Sequence, residues 1–371
     1  MALCTESSNL SYSALAFFAG CLLLLPLQAA GGVNDSSSTD RSGFYALPFA
    51  FYTPETKLAI GGGLVGLFRS SAGPSEKPSS ITASVQAAMT GQYLFVVTPQ
   101  LYLSGSTVLF AAEAKFGLIV DRFYGIGDRA PDIGNPSYAR QLFDVRALIR
   151  KMLTEGLDVG PAIEFSHERI VDARSNPFLQ TGSAFVGEEG WLAGAGFVIV
   201  HDSRDDVFFP SSGSDLTLRT VSFGRAIGSQ YAFGYTEADL RGYSSIDETQ
   251  TVALQLYGKT VTGRPPFYRL ATLGGQNILR GYFEGRVRDK TCLAAQAEYR
   301  RAMIGRVTGV VFVGVGAVAA SPGKLALPGL LSSIGTGLRF RIDSEEKINL
   351  RLDLGVGRNA AGVYIGVGEA F

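Results

Sequence analysis

The sequence predicts an all-β fold, a transmembrane antiparallel β-barrel of about sixteen strands. From residue 43 onward, segments that alternate apolar with small or polar residues recur, and clusters of turn residues separate them. The segments are long: a strand needs about 9–11 residues to cross a bilayer, whereas strands of soluble proteins average about five or six. The connections also alternate between short turns and long loops, which is typical of transmembrane barrels.

The N-terminal segment predicts export. Residues 12–30 form an apolar stretch that Pro26 interrupts and that ends in two alanines, before a polar run. This pattern predicts a signal peptide at residues 1–30 and a short polar spacer at residues 31–43. The basic start of a typical signal peptide is missing, because the first basic residue is Arg41. Two alternatives therefore stay open: an uncleaved helical anchor, and lipoprotein cleavage before Cys21.

The barrel is predicted to occupy residues 44–371. Its candidate strands are 44–53, 57–69, 80–90, 94–104, 106–118, 140–153, 156–168, 189–201, 214–225, 228–244, 249–263, 290–302, 306–319, 331–342, 346–358 and 361–371. Bacterial outer-membrane barrels have an even number of strands. If the first strand begins in the periplasm, the long connections all fall on the external side, at 119–139, 169–188, 264–289 and 320–330.

Composition and motifs argue against several other classes of protein. Acidic and basic residues balance at 33 each, so no nucleic-acid partner is expected. The run Gly61–Gly66 formally fits a dinucleotide-binding motif, but a strand follows instead of a helix, so no nucleotide is expected either. His167 and His201 are the only histidines, and no nucleophile–base or metal-ligand spacing occurs. We therefore expect no enzyme activity, no cofactor and no metal.

One long connection carries a family resemblance. The stretch Leu273–Asp289 (LGGQNILRGYFEGRVRD) resembles the external loop of the bacterial surface-antigen family, the BamA/TamA-type outer-membrane assembly and translocation barrels. Its core, LRGY, matches the family's Val/Leu-Arg-Gly-Phe/Tyr. Other stretches resemble the family in its own order, at 121–127, 202–213, 297–300, 350–355 and 366–371. The resemblance covers about residues 44–371 and concerns the barrel alone, because the residues before the first strand are too few for POTRA repeats.

The resemblance implies a role for the loop arginine. In the family this side chain folds back into the lumen and pairs with acidic groups on the barrel wall. The role falls on Arg280, with Glu298 as its best-matched partner, so the loop is expected to plug part of the lumen. A second family carboxylate is replaced here by Gly314, so the lock is looser or Asp353 substitutes. A solvated loop arginine that touches no wall is the alternative.

The neighbours of the arginine have implied roles too. Gly281 permits a tight turn beside the arginine. Tyr282 either fills space in the lumen or is a plain exposed aromatic.

A second motif, Asp202–Gly213 (DSRDDVFFPSSG), looks like the family's Asp-x-Arg-Asp…Pro-x-x-Gly turn. Its charged residues could form a network in a periplasmic turn, and its proline and glycine would close that turn. The residues concerned are Asp202, Arg204, Asp205, Pro210 and Gly213. A purely structural turn is the alternative.

The terminal Phe371 on a final amphipathic strand is the signal that outer-membrane assembly factors read in barrel clients. With the resemblance, it predicts a barrel of the cell outer membrane that aids insertion or passage of a polypeptide without covalent chemistry. The expected device is a lateral seam between Phe44–Thr53 and Ala361–Phe371, where a weakly paired edge can template an incoming strand. Expected partners are outer-membrane lipid, unfolded polypeptide clients and a periplasmic delivery protein. The alternative is a passive channel or structural barrel that has lost insertase activity.

Overall fold

The computed structural model describes residues 43–68, 78–128, 134–180, 189–326, 329–342 and 347–371. The predicted signal peptide and almost all of the spacer lie outside the described residues. Among the residues that are described, no helix is both long and apolar enough to cross a membrane.

Sixteen antiparallel strands form one closed barrel, as predicted. Each strand pairs with its neighbours in order, and β18 returns to β1. The barrel strands are β1 (Gly43–Thr53), β2 (Lys57–Phe68), β3 (Ser79–Ala88), β4 (Tyr93–Leu103), β5 (Val108–Arg122), β6 (Ser137–Thr154), β7 (Leu157–Asp172), β8 (Glu189–Asp202), β9 (Gly213–Phe223), β10 (Phe233–Asp247), β11 (Gln250–Gly263), β14 (Thr291–Ala302), β15 (Val307–Ala319), β16 (Leu331–Arg341), β17 (Asn349–Gly357) and β18 (Ala360–Val367). Two short strands, β12 (Ala271–Leu273) and β13 (Val287–Asp289), form a separate sheet within the connection between β11 and β14.

The strands have an apolar outer face and a polar inner face. On β17, Leu352 and Leu354 are exposed on the outside, whereas Arg351 and Asp353 are buried inside. An apolar outer face suits lipid, and buried charges on the inner face require partners. We call the end of the barrel where β1 begins and β18 ends the terminal end, and the opposite end the loop end.

The strands β5, β6 and β7 are longer at the loop end than predicted. The ladder between β5 and β6 runs on to the pair Arg122↔Ser137. Beyond the predicted ends, the Tyr138 hydroxyl donates to the Asp121 carboxylate over 3.1 Å, so side chains support the extension. His167 therefore lies within β7 and not at a strand end; it stacks on Trp191 of β8, with ring centroids 4.1 Å apart.

The last strand is shorter than predicted. It ends at Val367, and Gly368 adopts a positive φ of 81°, which turns the chain inward. The Glu369 carboxylate then pairs with Arg339 Nε over 2.7 Å. Phe371 is buried in a cluster with Tyr243. The ion pair inside the barrel explains why the terminal aromatic does not continue the strand.

Candidate functional site: a buried arginine cluster beside the seam

The connection between β11 and β14, residues 264–290, is called the long loop here. Its central part reaches the inner face of the wall. The backbone N–H of Leu279 donates to Gln296 Oε1 on β14 over 2.8 Å, and Gln296 Nε2 donates to the Asn277 carbonyl over 2.8 Å. One wall side chain thus fixes two backbone groups of the loop just before Arg280.

Arg280 is fully buried and makes two charged contacts. Its Nη2 donates to Glu298 Oε2 over 2.7 Å, and its Nη1 donates to Asp353 Oδ2 over 2.6 Å. The guanidinium carbon also lies 3.5 Å from the ring centroid of Phe312, a cation–π arrangement. The alternative of a solvated arginine does not hold for this geometry. Asp353 is the residue named above as the substitute for the family carboxylate that Gly314 replaces.

Gly314 faces the same part of the lumen, and its lack of a side chain has a local reason. A Cβ at this position would lie 3.0 Å from Leu279 Cδ2 and 3.2 Å from Gln296 Cγ. The loop's own leucine therefore occupies the space that an acidic side chain on β15 would need.

Arg280 belongs to a larger network of buried charges. The network contains four arginines and three carboxylates, and each arginine lies near at least one carboxylate. Its members are Arg280, Arg300, Arg339, Arg351, Glu298, Asp353 and Glu369. Arg300 Nε lies 2.8 Å from Glu298, and Arg339 Nη1 lies 2.6 Å from Asp353. Because removal of one partner leaves a buried charge uncompensated, such networks lose stability sharply when one member is lost.

Two glycines allow the loop backbone to touch the wall. Gly281 has a φ of 110°, and a Cβ there would lie 2.9 Å from backbone atoms of Gly355 and Val356. A Cβ on Gly355 would in turn lie 2.6 Å from the Arg280 carbonyl carbon. Main chain packs on main chain here, which no other residue pair would allow.

Tyr282 is buried and fills lumen space. Its hydroxyl donates to the Ser332 carbonyl over 2.9 Å and accepts from the Arg358 N–H over 2.6 Å. The exposed-aromatic alternative does not describe this side chain.

The long loop also contacts the wall a quarter-turn or more away. Arg269 Nη2 lies 2.9 Å from Asp144 Oδ2 on β6 and 2.9 Å from Glu168 Oε1 on β7. Arg288 Nη2 donates to the Arg122 carbonyl at the end of β5 over 2.9 Å. Sequence reasoning missed Arg269; the usable signal was the inward-facing acids on β6 and β7, which need a cation.

The predicted turn of Asp202 and its neighbours lies at the terminal end. Arg204 donates to Asp202 through Nε over 2.8 Å and through Nη2 over 2.6 Å. Asp205 instead accepts backbone N–H groups of Ser211 and Ser212, over 2.9 and 3.0 Å. Partial burial raises the pKa of Asp205, but hydrogen bonds from these serines outweigh it and hold the pKa below its ordinary value.

This turn touches the arginine cluster. Gly213 has a φ of 93°, and a Cβ there would meet the Ser203 carbonyl at 2.2 Å, so glycine closes the turn. The Pro210 carbonyl lies 3.4 Å from Arg300 Nη1, and the Arg300 guanidinium lies 5.5 Å from the Phe209 ring centroid. The two motifs that the sequence singled out are therefore neighbours in space.

The cluster lies beside a weak seam. The ladder between β1 and β18 consists of one residue pair, Tyr52↔Ile365, whereas β1 pairs with β2 along all 11 of its residues. A cavity of about 320 Å³ lies inside the barrel at this seam, between the long loop and the wall. Its lining includes Gln86, Lys115, Asn277 and Glu369.

In the part of the chain that the structure describes, no group of three or more histidine, cysteine, aspartate or glutamate side chains is placed to hold a metal ion. The charged side chains of the cluster pair with one another, and Arg280 is its member from the long loop.

Comparisons with known proteins identify the barrel's relatives. The Omp85 superfamily domain matches residues 79–371. BamA from Haemophilus ducreyi lacking POTRA domains 1-3 is similar in structure, with a TM-score of 0.64 and 13% identity over 88% of this chain and 70% of that chain. CdiB from Acinetobacter baumannii has a TM-score of 0.58 and 14% identity, over 88% of this chain and 60% of that one. CdiB from Escherichia coli has a TM-score of 0.58 and 11% identity, over 87% and 62%.

The likeness to these solved structures concerns the fold, and the chain spans about three fifths of the length of each CdiB. No curated protein sequence matches the chain. The superfamily domain covers well over half of the sequence, including the long loop and all of the cluster. The chain is an outer-membrane β-barrel and belongs to the Omp85 superfamily.

Proposed function

We propose that this barrel helps unfolded polypeptides to insert into or cross the outer membrane, without covalent chemistry. The observation that carries the proposal is the seam, where β1 and β18 share the single pair Tyr52↔Ile365. A strand edge with few partners offers backbone N–H and C=O groups to an incoming strand. Membership in the superfamily of BamA and CdiB is consistent with this role.

In this proposal the terminal end of the barrel faces the periplasm, so the long loop would lie on the external side. Unfolded clients would then reach the seam from the periplasm, and a periplasmic delivery protein would bring them to the terminal end. Outer-membrane lipid is the partner of the apolar outer face, where side chains such as Leu352 and Leu354 are exposed.

Arg280 is proposed as the lock that holds the long loop in the lumen as a partial plug. A loop of this length loses much conformational entropy when it is ordered. Charge-assisted hydrogen bonds to Glu298 and Asp353, over 2.7 and 2.6 Å, offset that cost. The turn around Asp202 and Arg204 is proposed to support this lock from the terminal end, through Arg300.

Reconstitution tests the proposed function. The full chain is placed in vesicles of outer-membrane lipid, and a small urea-denatured outer-membrane barrel is added as client. The client's folding is followed by its shift on a semi-native gel. The proposal expects faster folding than in empty vesicles or in vesicles that hold a porin at equal density. Equal rates in all three would contradict it.

A passive channel is the second candidate, and the cavity at the seam favours it. The lining of this cavity of about 320 Å³ mixes apolar residues with polar and charged ones such as Gln86, Lys115 and Glu369, and the polar part suits a path for small solutes. Ion flux in the same vesicles separates the two functions. Steady flux without any acceleration of client folding would establish the channel.

A further inference from the structure

The long loop is contacted from both sides of the seam, by β18 and by the turn that follows β1. On the β18 side the contact is the hydroxyl of Tyr364, a fully buried residue. This hydroxyl accepts the N–H of Gly281 over 2.9 Å and donates to the Tyr282 carbonyl over 3.2 Å. The phenol hydroxyl thus makes both a donor and an acceptor hydrogen bond with the loop.

On the β1 side the contact is Glu55, in the turn that follows β1. Its Oε1 accepts the backbone N–H of Glu284 over 2.8 Å. The turn is fixed to the strand, because Thr53 Oγ1 accepts the Thr56 N–H over 3.1 Å and also lies 2.9 Å from Thr56 Oγ1. A displacement of Glu55 is therefore transmitted to the end of β1.

We propose that residues 281–284 form a clasp that ties β1 to β18 across the seam from the luminal side. The length fits: three residue steps span up to about 10 Å, whereas neighbouring strands lie about 4.8 Å apart. The clasp acts where the ladder between the two strands has one pair, so loop hydrogen bonds stand in for missing strand hydrogen bonds. The inference rests on the proposed function, since it describes how access to the proposed client site is controlled.

The two ends of the clasp differ in strength. On the β18 side the loop is also held by Arg280 on Asp353 of β17 and by Tyr282 on the Ser332 carbonyl of β16. On the β1 side a single hydrogen bond to Glu55 connects the loop to a half-buried turn. When the seam parts, the Glu55 end is therefore the one that releases, and the loop stays with β17 and β18.

Hydrogen–deuterium exchange of the full chain in lipid nanodiscs tests the clasp. Two variants each remove one end: Tyr364→Phe deletes the hydroxyl, and Glu55→Ala deletes the acceptor. Glu55→Ala is expected to speed amide exchange in both β1 and β18 by about threefold to tenfold, the effect of one lost hydrogen bond. Tyr364→Phe is expected to speed exchange in both strands by less, because Arg280 and Tyr282 still hold the loop on the β18 side. Because the two ends act in series, the double variant should exchange no faster than the quicker single variant.

Two matched variants serve as controls. Glu55→Gln keeps an acceptor oxygen for the Glu284 N–H and should retain slow exchange. Tyr257→Phe removes another buried hydroxyl, which donates to Glu237 Oε1 over 2.7 Å on the far side of the lumen, and should leave the seam unchanged.

The proposal is overturned if Glu55→Ala speeds exchange in β1 and leaves β18 unchanged, or if the two single effects add up in the double variant. It is also overturned if neither variant changes exchange. The readout needs no client, so a clasp that holds in a barrel without insertase activity would sink the proposed function and leave the clasp standing.

Discussion

The seam and the wall formed by β5 to β8 hold the barrel together in different ways. At the wall, β6 has 18 residues and the ladder between β5 and β6 contains fifteen residue pairs. At the seam, β18 has 8 residues and forms one residue pair with β1. The wall is closed by backbone hydrogen bonds. At the seam the backbone ladder is short, and side chains from its two sides, Tyr364 and Glu55, contact the long loop.

This difference indicates which part of the barrel can open. Separating β5 from β6 would expose a long double row of backbone groups, each costly to leave unpaired in lipid. Separating β1 from β18 breaks few backbone hydrogen bonds, because the two strands share one residue pair. The long loop touches both regions, with Arg269 at the wall and Arg280 beside the seam, so the comparison can be tested one arginine at a time.

Arg280→Ala is expected to have the largest effect. It removes two buried hydrogen bonds to carboxylates, each worth about 1.5–3 kcal/mol, together with the contact with Phe312. We therefore expect a loss of about 3–5 kcal/mol of stability, although Glu298 keeps Arg300 and Asp353 keeps Arg339. The temperature at which the folded band disappears on a semi-native gel should fall, and protease should cut the long loop. Arg264→Ala, at an exposed position of the same loop, should change neither. If the Arg280→Ala barrel resisted heat and protease as well as the wild type, the network would not be what holds the long loop.

Gly355→Ala attacks the same region through the backbone. The added methyl would lie 2.6 Å from the Arg280 carbonyl carbon, so the loop must shift. Overpacking of this kind costs about 1–3 kcal/mol. Gly242→Ala on β10 is the matched control, because nothing lies within 4 Å of its Cβ position. Guanidinium unfolding in lipid should separate the two glycines, and equal midpoints would show that the close approach has no energetic weight.

Arg269→Ala tests the wall. We expect a loss of about 1–2 kcal/mol, because Asp144 keeps Arg146 and Glu168 keeps Arg140, and because Arg269 is partly exposed. The seam of the Arg269→Ala barrel should behave as in the wild type. Hydrogen exchange in β1 and β18 should stay slow there, whereas it should become faster in the Arg280→Ala barrel. Faster seam exchange in Arg269→Ala would show that the two regions are not independent.

The smallest effect is expected at the terminal end. Hydrogen bonds from Ser211 and Ser212 lower the folded pKa of Asp205, so its contribution is present above the unfolded pKa and is lost as the pH falls through the folded one. With the carboxylate partly exposed, Asp205→Asn should cost well under about 1 kcal/mol. Limited proteolysis of the 203–212 turn at pH 7 and below pH 4 should show acid loosening in the wild type and little pH dependence in the variant.

Much of the fold was predictable because membrane strands must be long and two-faced. Alternation located all sixteen barrel strands within a few residues. The small sheet of β12 and β13 was missed, because three-residue strands carry no periodic signal. The inward turn after Val367 was missed too, because it depends on the pair of Glu369 with Arg339, a contact fixed only by barrel closure.

The residues of the candidate site were also predictable only in part. Arg280 and Glu298 came from a motif resemblance, and their contact depends on a loop whose path is local to that motif. Tyr364 and Glu55 carried no motif, since their importance comes from lying on β18 and in the turn after β1, on the two sides of the seam. Barrel register, which no local pattern encodes, decides such partners.

The central claim is that the barrel works by opening at the seam. Two disulfides test it in a Cys292→Ala background: Tyr52→Cys with Ile365→Cys across the seam, and Phe110→Cys with Ile149→Cys across β5 and β6. Directly paired residues have Cα atoms about 4.5–5.5 Å apart, within the range of a disulfide. The account predicts that the seam disulfide stops acceleration of client folding until it is reduced, and that the wall disulfide changes nothing. Full activity with the seam disulfide formed would contradict it.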